Sequence, residues 1–213
     1  MTPDRECPLC PRLAGFRQSN RAAFPSFHNA PVPSFGPLDA RLLIVGLAPG
    51  LKGANQTGRP FTGDYAGALL YPTLLRYGFA SGPYGARADD GLVLRDCRIT
   101  NAVRCAPPEN KPVGAEIASC RSFLAAEIGA MHRLKAIVAL GLVAHNAVLA
   151  ALGLRQSHAK FTHGAHHILP EGRSLTDSYH CSRYNTNTGR LSEAMFHSVF
   201  EDVRARLGAP AAD

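Results

Sequence analysis

The chain has 213 residues, 46% apolar and 18% charged, enough for one folded domain with a substantial core. No apolar run approaches the ~20 residues that span a bilayer. The opening MTPDRECPLCPRL lacks the basic-then-apolar order of a secretory leader, so a cytoplasmic monomer that needs no membrane is expected. The formal net charge is +7 and the pI about 9.3, and lysine occurs only at 52, 111, 135 and 160, so arginine carries most of the charge. The guanidinium fork suits phosphate oxygens, which makes a polyanionic partner plausible; the excess could equally reflect composition alone.

Residues 1–40 mix a Cys-Pro-Leu-Cys element with Pro and Gly and read as a helix-and-loop extension on a single domain covering 1–213. RLLIVGLAP (41–49) is a short β-type run ending in a Gly/Pro turn, as a buried parallel strand would. Residues 58–67 form a glycine-rich loop, and 66–77 have helical apolar spacing. CRITNAV (97–103) predicts a second strand, 114–134 a helix, KAIVALG (135–141) a third strand and 142–152 another helix. HHILP (166–170) and SLTDSYH (174–180) are further strand candidates, and 191–207 an amphipathic helix. Strands alternating with helices predict an α/β layered fold with a mainly parallel sheet. Ligands of such sheets sit beyond the carboxyl ends of the strands, where 46–50, Asn101 and His180 fall.

Six cysteines in a reducing compartment argue for metal or catalysis rather than disulfides. Cys7 and Cys10 form a C-x2-C pair, with Cys105 and Cys120 far downstream. Four thiolates can close around zinc or a [4Fe–4S] cube, and spacing does not separate the two; alone, a C-x2-C near a terminus suits a zinc knuckle better. Cys97, inside a strand pattern, reads as a buried small hydrophobe.

The most informative stretch is GLAPGLKGANQTGRPFTGDYAG (46–67). It has neither G-x4-G-K-[ST] nor a G-x-G-x-x-G placed directly after a strand, so a phosphate loop is not indicated. What remains is a strand ending in a tight turn, then an aromatic and an acid between glycines. Phe61 can stack on a planar base or pack in the core; Asp64 can hold water or cap the next helix.

Four ordered motifs carry a resemblance: CPLC (7–10), GLAPG with GANQTGRPFTGD (46–64), TNAVRCAPPENKP (100–112) and SYHCSRYNTNTGRL (178–191). Together they resemble the family 5 uracil-DNA glycosylases of the uracil-DNA glycosylase superfamily, related to the family 4 enzymes. The resemblance implies a three-layer α/β/α sandwich and hydrolysis of the N-glycosidic bond of uracil in DNA. Hypoxanthine and xanthine are further expected bases. It also implies a [4Fe–4S] cluster on Cys7, Cys10, Cys105 and Cys120, and this tips the choice from zinc to iron–sulfur.

By position in these motifs, Gly46, Ala48, Gly50, Phe61, Asn101 and His180 would form the base pocket. Asn101 would read the uracil edge, though an Asn at a strand end also suits a turn. His180, in the superfamily's His-Pro-Ser position, would donate to uracil O2 as the base departs. Asp64 would orient water or stabilise the cationic sugar, since Gly-Leu-Ala-Pro offers no polar residue for the task. Arg59, Arg183, Tyr184, Asn185 and Arg190 would contact DNA, with 183–188 as a wedging loop; a solvated surface turn is the plain alternative. Two departures stand out: Gly50 where family 5 has Ala, and Cys181 where the motif has Pro. The second motivates a rival reading as a damage-binding relative that traps DNA with little turnover. A non-enzymatic Fe–S or zinc nucleic-acid-binding module is a third reading, and it leaves Phe61, Asn101 and His180 without a task.

Overall fold

The computed structural model describes residues 2–208. The central sheet starts from β1 (Leu42–Gly46), β4 (Cys97–Asn101), β5 (Ala136–Leu140), β6 (His166–Ile168) and β7 (Ser174–Ser178). Their order is β4-β1-β5-β7-β6; all neighbours run parallel except β6, which is antiparallel to β7. Residues of β1 and β5 are buried throughout, which is why these strands read as unbroken apolar runs.

Strand side chains alternate between faces, and the two faces build two cores. Leu42, Ile44, Ile99 and Val138 meet α3 (Tyr65–Arg76) and α7 (Glu193–Leu207) through Leu70, Leu74, Phe196 and Phe200. Leu43, Val45, Ile137 and Leu175 meet α4 (Gly114–Ala130) and α5 (Leu142–Ala151) through Leu124, Ile128, Val148 and Leu149. Helices on both faces make the expected α/β/α sandwich. Cys97 is buried in the first of these cores.

Short elements depart from the sequence pattern. The hairpin of β2 (Ala80–Ser81) and β3 (Val93–Leu94) has no counterpart among the expected strands, and α4 ends at Ala130 rather than at 134. Residues 183–188, expected as a loop, contain the one-turn helix α6 (Arg183–Asn187), whose N-cap Ser182 accepts a bond from the Asn185 amide. A further short helix, α2 (Ala54–Thr57), precedes the glycine-rich loop. No described helix is long and apolar enough to cross a membrane.

The N-terminal segment is tied in by charge. Helix α1 (Pro11–Ala23) sends Arg12 onto both carboxylate oxygens of Glu116 in α4, each at 2.8 Å. After it, Phe35 exchanges backbone hydrogen bonds with Ile99 at the sheet edge. Beneath this edge Glu127 is fully buried; it accepts from Arg98 Nε at 2.6 Å, Thr100 Oγ1 at 2.9 Å and the buried Arg104 guanidinium. Ser34 completes the network, accepting from Arg104 NH1 at 2.6 Å.

Removing one member of a buried ion network leaves the other charge uncompensated, at about 3–5 kcal/mol. Glu127→Ala should therefore lower unfolding stability by that amount in urea titration, whereas Arg87→Ala, whose ion pair with Asp89 is solvent-exposed, should change it little.

Candidate active site

The carboxyl ends of β1 and β4 frame a cavity lined by Ala48, Pro49, Gly50, Ala54, Phe61, Asp64, Ala66, Asn101 and His180. Parallel register sets Gly46 opposite Asn101. A methyl group at Gly46 would run into Asn101 Oδ1 and lie 2.5 Å from Phe61 Cζ, so only glycine lets the three meet.

Asn101 is buried, and its carboxamide oxygen has no hydrogen-bond partner. A buried acceptor without a donor is costly in a closed structure; here it faces a cavity from which a ligand N–H could reach it. Phe61 is 6% exposed and adopts φ 52, a left-handed backbone that bulky residues rarely take. Its carbonyl packs so closely on Gly67 that any side chain there would collide with it. The Phe61 ring stacks beside His180, centroids 6.0 Å apart and 28° from coplanar.

His180 is half-buried, with its ring opening onto the cavity. Desolvation pushes its pKa down to about 4, so at neutral pH the ring is an uncharged imidazole with one N–H to donate. Asn185 donates its side-chain amide to the His180 carbonyl at 2.8 Å and so braces the turn. Asp64 combines the two roles its position allows. It caps α3, one oxygen accepting from the Gly67 amide at 3.0 Å, and its other oxygen lies toward Gly50 and Gly53 beside the cavity. Burial raises its carboxyl pKa, against two backbone hydrogen bonds that lower it.

Arg59 requires a correction. Its guanidinium is buried on Asp90, with both fork nitrogens at 2.8 Å, and its Nε donates to Thr62 Oγ1. The rings of Phe35 and Tyr71 lie 5.1 and 5.3 Å from it. It is therefore a clamp holding the 58–64 loop under Phe61, not a DNA contact. Asn185, spent on His180, likewise braces the site rather than projecting outward. Arg183, Tyr184 and Arg190 remain on the surface: Arg183 lies over Tyr65, Arg190 lies 4.5 Å above the Tyr179 ring, and Tyr184 is 72% exposed. Cys181 is fully buried in the core, where desolvation pushes its thiol pKa far up.

Cys7, Cys10, Cys105 and Cys120 line a second cavity with Leu13, Arg17, Val103 and Phe123. None of the four forms a disulfide. A third constellation has no sequence signal: His145 on α5 and His167 on β6 both meet the buried Asp177 on β7, at 2.7 and 3.0 Å. His145 also faces the Ala159 carbonyl at 3.0 Å. Both of its ring nitrogens thus face acceptors; burial lowers its pKa, and Asp177 more than offsets this to raise it overall. The pairing spans 32 residues and joins two ordinary-looking elements.

Residues 33–204 match the family model described as the uracil DNA glycosylase superfamily. The chain belongs to the uracil-DNA glycosylase superfamily. It is 47% identical to a type-5 uracil-DNA glycosylase of Thermus thermophilus over 207 residues, 95% of this chain and 94% of that one. It is 41% identical to a type-5 uracil-DNA glycosylase of Pyrobaculum aerophilum, over 95% of this chain and 89% of the relative. A type-4 uracil-DNA glycosylase of Thermotoga maritima is 40% identical over 110 residues, 51% of this chain and 49% of that one.

The neutral His180 has a pH signature. Its folded pKa lies below the ordinary histidine value, so between about pH 6.5 and 4 the unfolded chain binds a proton that the folded chain does not. Stability is lost as pH falls through that window. In His180→Gln that share of the loss should vanish, measured as a shallower fall of urea-unfolding free energy from pH 6.5 to 4 than in the unmodified chain.

Proposed function

We propose that this chain releases uracil from DNA by hydrolysing the N-glycosidic bond, using the cavity at the ends of β1 and β4. The observation that carries this reading is the pairing of an unpartnered Asn101 carboxamide oxygen with a neutral His180 across one cavity. Uracil presents an N3–H beside a carbonyl, which a carboxamide matches with one acceptor and one donor. Hypoxanthine and xanthine carry the same N–H beside C=O edge, so the same carboxamide can read them.

The target nucleotide leaves the stack to reach this depth, at a cost of a few kcal/mol, part of it offset by stacking on Phe61. As the bond from C1′ to the base breaks, its electron pair goes to the base, and charge grows on the carbonyl oxygens of the base. The His180 N–H donates to the oxygen beside that bond; being neutral, it stabilises the anion without first giving up a proton. Asp64 lies where it can hold the attacking water or face the cationic sugar; water adds to C1′ and gives up a proton, which restores the neutral base and leaves an abasic site. Arg183, Tyr184 and Arg190 would meet the duplex from the surface beyond β7. We read the enzyme as a cytoplasmic monomer. The trapping alternative gains nothing from Cys181, whose sulfur is enclosed in the core.

The four-cysteine cavity fits an iron–sulfur cluster by its donor set: the four cysteines converge from the segment before α1, the segment after β4, and α4, with apolar Leu13, Val103 and Phe123 beside them. Four thiolates would hold zinc or a cubane, and the ordered motifs are what favour iron–sulfur. When bound, a [4Fe–4S] cluster supplies a covalent cross-link between the N-terminal segment and the sheet, and one-electron chemistry.

Single-turnover release of uracil from a duplex, followed by alkali and a denaturing gel, tests the assignment. His180→Ala should slow release by about two to three powers of ten with little change in DNA affinity, because its contribution grows only as charge develops. Asn101→Ala should slow uracil release more than that of bases with a different edge. Full-rate release by both variants would refute the roles of His180 and Asn101.

A further inference from the structure

Arg17, in the middle of α1, is 5% exposed and lines the four-cysteine cavity. Its Nη2 donates to the Cys7 carbonyl at 3.1 Å, and its Nη1 lies 3.7 Å from Cys105 Sγ. Its Nε is buried with no partner at all. No described carboxylate forms an ion pair with it; the nearby Glu6 is taken by Arg21 at 2.7 Å. The other deeply buried guanidiniums of the described chain have their acids: Arg59 has Asp90 and Arg104 has Glu127.

An arginine cannot shed its charge in a protein, and an isolated buried charge is strongly unfavourable. The remainder of the cavity offers no anion: Leu9, Leu13, Val103 and Phe123 are apolar. Glu6 faces Arg17 only from the exposed surface and is held by Arg21, so the counter-charge inside the cavity is whatever the sulfurs hold. Four thiolates on an oxidised [4Fe–4S] core carry a net charge of about −2, becoming about −3 on one-electron reduction.

We propose that Arg17 is the resident counter-cation of the metal–thiolate centre and raises its reduction potential. The inference rests on the cluster reading above. An adjacent cation favours the more negative, reduced state, and hydrogen bonds to ligand sulfur act in the same direction. Arg17 touches one ligand residue through sulfur and another through backbone oxygen, so it also couples Cys105 to the N-terminal pair. It is a positioning and tuning residue, remote from the base cavity.

The test uses the full chain purified without oxygen, as wild type, Arg17→Gln and Arg17→Lys. Iron and sulfide are counted, and the midpoint potential is read by absorbance during titration with dithionite as electron donor. Arg17→Gln should keep the cluster but move its midpoint to more negative potential, and iron loss to a chelator should speed up several-fold. Arg17→Lys, which keeps the charge but not the fork, should fall between. An unchanged midpoint in an iron-replete Arg17→Gln would overturn the proposal. If Gln cannot hold the cluster, Lys decides: retention supports the counter-charge, and loss in both overturns it. A wild type with zinc and no iron would instead refute the cluster reading itself, a result distinct from either.

Discussion

β1 and β4 stay in parallel register to their last residues, so Gly46 stands opposite Asn101 with no side chain between them. That absence is the constraint on which the site depends. It brings the Asn101 carboxamide against the edge of Phe61, whose left-handed backbone is in turn permitted by Gly67. Phe61 then stacks beside His180, which arrives from the end of β7, two strands away in the sheet. The pocket is made from three strand ends and one strained loop. Strain of this kind persists only where surrounding structure over-determines it, and here the Arg59–Asp90 clamp and the Tyr71 hydroxyl, donating to the Pro60 carbonyl at 2.6 Å, hold the loop from below.

A second network runs behind the first. Asn101, Arg104 and Cys105 are near neighbours in sequence, while Cys120 and Glu127 share α4. The Arg104–Glu127 pair therefore ties the segment that follows β4 to the helix that carries Cys120. Arg12 and Glu116 tie the same helix to α1.

Much of this is legible in the sequence alone. Strands 42–46 and 136–140 announce themselves because burial on both faces demands unbroken apolar runs. Phe61, Asn101 and His180 stand out because they sit at strand ends or in tight turns inside ordered motifs. What stays hidden is whatever depends on a distant partner. Arg59 carries the charge of a DNA contact, and nothing local reveals Asp90, 31 residues on, waiting to bury it. The His145–Asp177 pair is hidden for the same reason. The two-residue strands of the β2–β3 hairpin are too short to show alternation, and Ser182 as a helix cap is masked by the polar run around it. Asn185 has the chemistry of an outward contact and the geometry of an inward one.

Base excision should depend above all on the side-chain-free junction of β1 and β4. The most direct test is the quantity of free uracil liberated under single-turnover conditions from a uracil-containing duplex, by the unmodified chain and by Gly46→Ala. The unmodified chain should release uracil and leave an alkali-sensitive site. Gly46→Ala should fold, with an unchanged circular dichroism spectrum, yet release uracil about 100-fold more slowly, as displacement of a reacting group by about 1 Å would impose. Equal rates for the two chains, or no uracil from the unmodified one, would contradict the dependence of catalysis on that junction.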